Sequence, residues 1–177
     1  MDVPMMEALL AGGAGLAVAD GIRWRRKAAS YEFSLNVRNN MGRRLVLFGQ
    51  QCDKKLHAAT FALHCTESTA GNLFRLCVRG RHTNRRSDGV QHDGTHLHRW
   101  TSEHRDEQAV APFNPPWPPA PWEDDSQAPL SDDHLRLLFQ QFCQMMHVTC
   151  DLDEIWRPKP SIDIPEFVKL PDGEEIP

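Results

Sequence analysis

The sequence has no Cys-x-x-Cys pair, one tyrosine and no long hydrophobic run. It also lacks a Gly-x-Ser-x-Gly elbow, a His-Glu-x-x-His helix and a glycine loop of the kind that cradles phosphate, which removes the common hydrolases and nucleotide enzymes. Its five cysteines (Cys52, Cys65, Cys77, Cys143, Cys150) are odd in number and widely spaced. They read as free thiols of a reducing compartment rather than a disulfide framework. The apolar stretch from Ala8 to Ala19 is rich in glycine and too short to span a bilayer, and the acids Asp2 and Glu7 stand where an export signal carries positive charge. The expectation is a cytoplasmic protein without a membrane partner.

What is present suits a single domain with extensions: 177 residues, of which 40 % are apolar. The net charge of −4 says little, but its distribution says more. Residues 71–105 carry seven arginines against three acids, a balance of +4, whereas residues 121–177 carry thirteen acids against four bases, a balance of −9. This asymmetry points to a basic working face and an acidic tail, or more plainly to a solvated surface and a solubilising tail.

The expected fold is α+β, a twisted antiparallel sheet of about five to six strands covered by a C-terminal helix. Residues 1–30 read as a weak helical segment, interrupted by Gly12, Gly13 and Gly15 and followed by the basic run Arg23 to Lys27. From Tyr31 the pattern changes to period two. Tyr31, Phe33, Leu35 and Val37 alternate with polar residues, and after the turn signal Asn39 to Gly42 the run Arg44 to Phe48 makes a second strand. Further strands are expected at 60–65, 73–79 and 96–100, with another at 108–111. A stiff proline-rich linker follows over Asn114 to Pro121. Ser131 is placed to cap a helix whose first turn carries Asp132 and Asp133, and Leu135, Leu138, Phe139, Phe142, Met145 and Met146 share one helical face. The domain division is therefore 1–30, a body at 31–150, and an acidic proline-rich tail at 151–177 that orders against a partner.

Two sets of residues are candidates for function. The first lies between Gly80 and His104, where five of the nine histidines fall. His96 and His98 are two apart on a strand and share a face, and His82 on the other arm of the hairpin is placed to join them. Three imidazoles can bind zinc, although no carboxylate at helix spacing supports a metal here. Histidines among arginines can instead cleave RNA by acid–base catalysis, with Arg81 or Arg85 stabilising the developing charge. The plain alternative is a polar loop whose side chains bond the backbone. The arginines also suit nucleic-acid binding, but only Phe74 and Trp100 are available to stack, so nucleic acid is not the expected partner.

The second set is Arg44-Leu45-Val46-Leu47-Phe48, similar to the Leu-x-Leu-Phe peptides that dock on the bacterial DNA polymerase sliding clamp by filling adjoining apolar pockets. Arg44 stands where such peptides have glutamine. A poorer match is His134 to Phe139, inside the helix needed for the core. On pattern alone, strand composition is the favoured account of four such apolar letters.

The stretch from Tyr31 to about Cys150 resembles a family of small bacterial proteins of unassigned activity. The residues that carry the likeness are Leu73-Phe74-Arg75-Leu76, Gly80-Arg81-His82-Thr83-Asn84, Asp88-Gly89, His96-Leu97-His98 and Ala109-Val110-Ala111-Pro112. Within it the chain is most similar to the SocB-type toxins. That resemblance implies a non-enzymatic toxin of a toxin–antitoxin system that stops DNA replication by occupying the sliding clamp. It also implies a SocA-like antitoxin adaptor that delivers the toxin to the ClpXP protease, with no metal or other cofactor. Phe48-Gly49 departs from the acidic residue expected after the second strand, and the long acidic tail is a second departure.

Overall fold

The computed structural model describes residues 3–11, 14–67, 71–83, 89, 91–103, 109–110 and 128–160. Its central element is an open antiparallel sheet of seven strands in chain order. These are β2 (Arg25–Lys27), β3 (Ser30–Val37), β4 (Leu45–Cys52), β5 (Ala59–Cys65), β6 (Asn72–Thr83), β7 (Gln91–Arg99) and β8 (Ala109–Val110). A two-stranded parallel sheet pairs β1 (Leu16–Ala17) with β9 (Val148–Thr149). The helices are α1 (Val3–Leu10), α2 (Asp132–Met145) and α3 (Leu152–Ile155). The α+β architecture is the expected one. No described helix is long and apolar enough to cross a membrane.

The period-two pattern of the sequence becomes a two-faced sheet, because directly opposed residues in antiparallel strands point the same way. One row across the inner face is Phe33, Gly49, Phe61, Leu76 and Leu97, and the next is Leu35, Leu47, Leu63 and Phe74. Against this face lies α2. Its Phe139 ring is 5.5 Å from that of Phe33 and 5.6 Å from that of Phe61, and Phe142 is 6.2 Å from Phe61. Of the helix face expected from spacing, Leu135, Leu138, Phe139, Phe142 and Met146 are buried and Met145 is half-buried. Ser131 caps the helix as expected, its side chain accepting from the His134 backbone N–H.

Both ends of the described chain differ from the expected division. The helix of the N-terminal segment is confined to Val3–Leu10, and Met6, Leu9, Leu16 and Ile22 are core residues. The basic run there forms β2. At the other end Leu152, Ile155 and Trp156 are buried, so the body continues past residue 150. The two ends meet. Leu16 pairs with Val148, the Ile22 N–H donates to Ile155 O at 2.7 Å, and the Trp24 indole donates to Arg157 O at 2.9 Å. Asp132, at the start of α2, accepts from the Trp156 indole at 3.0 Å and from the Lys159 N–H at 3.1 Å. The linker Asn114 to Pro121 and the tail beyond Pro160 lie outside the described residues.

Candidate functional site

The clamp-like motif falls in β4, which is paired on both sides, to β3 and to β5. Leu45 is 2 % exposed and Leu47 is 0 % exposed. They belong to the core and are not presented to a partner. Val46 and Phe48 point to the outer face and are half-buried, while Arg44 precedes the strand and reaches Glu67 at 3.7 Å. Alternation is the reason: an extended strand sends Leu47 and Phe48 to opposite faces, so one peptide cannot offer both while it stays in the sheet. In α2, Leu135, Leu138 and Phe139 of the second match are also buried.

The outer face brings together residues that the sequence lists far apart. One row across it is Ser34, Phe48, Ala62, Arg75 and His98, and the next is Glu32, Gln50, Thr60, Cys77 and His96. His96 and His98 share a face, as their spacing requires, with ring centroids 5.1 Å apart. Their cross-strand neighbours are Cys77 and Arg75 rather than His82. His82 lies opposite His92 and Arg81 opposite Asp93. His92 stands four positions before His96, roughly 13 Å along a strand. The side chains of Arg81, His82 and His92, and the whole of Asn84 to Asp88 (Arg85 included) and of His104, lie outside the described residues.

Sγ of Cys77 and one ring nitrogen each from His96 and His98 all lie within 4.8 Å of one another. The Nδ1 of His96 is 3.1 Å from the Gly94 carbonyl. A carbonyl only accepts, so Nδ1 carries the proton and the lone pair of the neutral ring is on Nε2. The Arg75 guanidinium lies 3.2 Å from His98 Nδ1 and 3.3 Å from Nε2. Burial pushes the Cys77 thiol above its ordinary pKa, and the Arg75 charge opposes this in part. A register shift between Cys77 and Gly80 bends β6 here, with Arg79 in the left-handed region at φ 48° and its N–H bonded to Thr95 Oγ1. A side chain on Gly80 would begin 3.1 Å from Cys77 Cβ. The sequence reading missed Cys77. Its signal is parity: Cys77 is two from Arg75 on a strand, but only the β6–β7 register sets it opposite His96.

The arginine-rich stretch does not form the expected basic face among the described side chains. Arg75 turns to His98, Arg79 donates to Ala128 O at 3.0 Å, and Arg99 lies over the Phe74 ring at 6.0 Å. Among the described side chains the basic feature is at the β2 edge. A groove of about 730 Å³ there is lined by Arg23, Arg25, Arg26 and Lys27, together with Asp20 and Glu32. All three residues of β2 are exposed, and no other described strand pairs with its outer side. Arg26 pairs with Asp53 at 3.2 Å and Lys27 with Glu32 at 3.6 Å, whereas no described acid pairs with Arg23 or Arg25.

Comparison with protein-family models, with characterised proteins and with solved structures finds no match to this chain.

Proposed function

We propose that the protein acts by binding, without chemistry of its own, and that it captures an acidic, extended segment of a partner protein along β2. The observation that carries this reading is the exposed Arg25–Lys27 strand at an open sheet edge beside a groove with four cations. Such an edge offers backbone donors and acceptors to an added strand, and side chains beside it set the preference for charge. Arg23 and Arg25 supply charge that no described acid neutralises. A nucleic-acid strand fits less well. Asp20 and Glu32 interrupt the positive lining, and the nearby Trp24 ring packs edge-on against Phe33 at 4.8 Å and near Trp156 at 6.3 Å, so it is not a stacking platform. RNA cleavage by His96 and His98 is disfavoured because they are 2 % and 0 % exposed, which leaves a polymer phosphate no approach.

The finer form of this reading takes its partner from the sequence resemblance: a replication-blocking toxin that occupies the sliding clamp and is handed to ClpXP by an antitoxin. With Leu45 and Leu47 in the core, its contacts would come from the β2 edge or from Val46 and Phe48. Fluorescence polarisation tests both forms. The probes are a labelled peptide alternating glutamate and valine, an oligo-dT strand of matching length, and purified sliding clamp. Expected is peptide binding that weakens about tenfold in Arg23→Glu/Arg25→Glu and falls with salt. Tighter binding of oligo-dT, or peptide binding unchanged by the charge reversal, would overturn the edge-capture reading. Clamp binding lost in the same variant identifies the clamp as partner. Clamp binding lost only in Phe48→Ala moves the contact to the outer face, and no clamp binding removes the toxin form.

A further inference from the structure

We propose that Cys77, His96 and His98 form a transition-metal site on the outer face of the sheet, with zinc as the ion that their chemistry selects. The site is independent of the β2 edge, from which β3, β4 and β5 separate it.

The fold supplies the convergence. Cys77 and His96 are directly opposed across β6 and β7, and His98 follows His96 on the same face. Their ligand atoms lie within 4.8 Å of one another. A tetrahedral zinc ion with one sulfur and two nitrogen ligands needs these separations at roughly 3.3–3.6 Å, from its bond lengths. Each pair therefore has at most about 1.5 Å to close, the scale of small side-chain rotations.

The state of His96 suits a ligand. Its Nδ1–H is committed to the Gly94 carbonyl, which fixes the tautomer and leaves the Nε2 lone pair as the coordinating one. Gly94 has φ +85°, a conformation open to glycine that sets this carbonyl beside the ring. Across the hairpin, Gly80 keeps space beside Cys77, where an added side chain would crowd its Cβ at 3.1 Å.

The ligand set determines the class of ion. One thiolate and two imidazoles, with no carboxylate in the cluster, exclude magnesium and calcium and suit zinc, cobalt(II) or copper(I). Binding releases the Cys77 thiol proton to solvent and forms the sulfur–metal bond. The dication thus takes the place of that proton. Arg75 is the competing cation. It lies across the His98 ring, and coordination requires His98 to exchange this contact for the metal while Arg75 remains beside the thiolate. Among the described residues the cluster supplies three ligands, so a tetrahedral ion has a fourth position for water or a further donor.

Cobalt(II) titration of the reduced, chelator-treated full-length protein tests the site. Expected is one equivalent of bound ion with a sulfur-to-cobalt charge-transfer band and the intense visible bands of four-coordination, both bleached by one equivalent of zinc. Cys77→Ser, nearly isosteric, removes the charge-transfer band and weakens binding at least about tenfold, and His96→Gln weakens it similarly. Cys143 and Cys150, a pair of thiols outside the cluster, serve as the control. Cys143→Ser/Cys150→Ser must keep the full spectrum. Zinc must also raise the melting temperature of the wild type and not that of Cys77→Ser, a readout that survives if His96→Gln fails to fold. Absence of the charge-transfer band, its persistence in Cys77→Ser, or its loss in Cys143→Ser/Cys150→Ser would overturn the proposal.

Discussion

Gly49 shows how much a single position carries. It lies opposite Phe33 across β3 and β4, and the Phe33 ring covers it so closely that an added Cβ would stand 2.2 Å from Cε1 and 2.3 Å from Cζ. The ring cannot retreat freely, because it packs edge-on against Trp24 at 4.8 Å and Phe139 at 5.5 Å. Gly49→Ala is therefore expected to destabilise the fold by about 1–3 kcal/mol, as overpacking of a filled core does, measured by urea unfolding. At this scale the sequence was legible in parity and illegible in pairing. Alternation alone told that Tyr31, Phe33, Leu35 and Val37 point one way. Nothing short of register told that Gly49 is the floor under Phe33, or that Cys77 faces His96. The same limit affected Leu45 to Phe48, where four consecutive apolar letters hid the fact that successive side chains part company.

Among the elements, α2 was the most legible. Ser131, the first-turn aspartates and the spacing of Leu135, Leu138, Phe139 and Phe142 are local signals, and the helix begins and faces as they require. Yet Asp132 has a second task that no local pattern reveals. Besides favouring the helix N-terminus, it accepts from the Trp156 indole and the Lys159 N–H, and so holds the segment after α3 against the body. Removal of an acceptor leaves a largely buried donor unmatched. Asp132→Ala is expected to cost about 1–3 kcal/mol and to shift tryptophan emission to the red as Trp156 loosens. Unchanged emission and stability would show that packing alone holds Trp156. β2 and α3 were illegible for a shared reason: each is three or four residues long, too short for a period to repeat.

The whole molecule is a sheet in chain order closed by a clasp between its ends. Meander order follows from local hairpin signals, which is why the α+β class could be read in advance. The clasp could not, because β1 and β9 are two residues each and pair across more than one hundred and thirty positions, Leu16 to Val148. Its contribution is open to measurement. Met6, Leu9 and Leu16 are each at most 2 % exposed, and burial of three such side chains stabilises by roughly 5–9 kcal/mol. Deletion of residues 1–18 is expected to abolish the cooperative thermal transition seen by calorimetry, and a transition kept within a few degrees would show that the sheet and α2 stand without the clasp.

The clasp also sets a schedule for synthesis. A ribosome makes β2 to β7 early, and each hairpin can form as its second strand emerges, but the N-terminal residues that finish the core wait for partners at Val148, Thr149 and Ile155. Until these leave the exit tunnel, Met6, Leu9, Leu16 and Ile22 have no complete seat. The nascent chain thus offers these apolar residues to chaperones until the segment from Val148 to Ile155 has emerged.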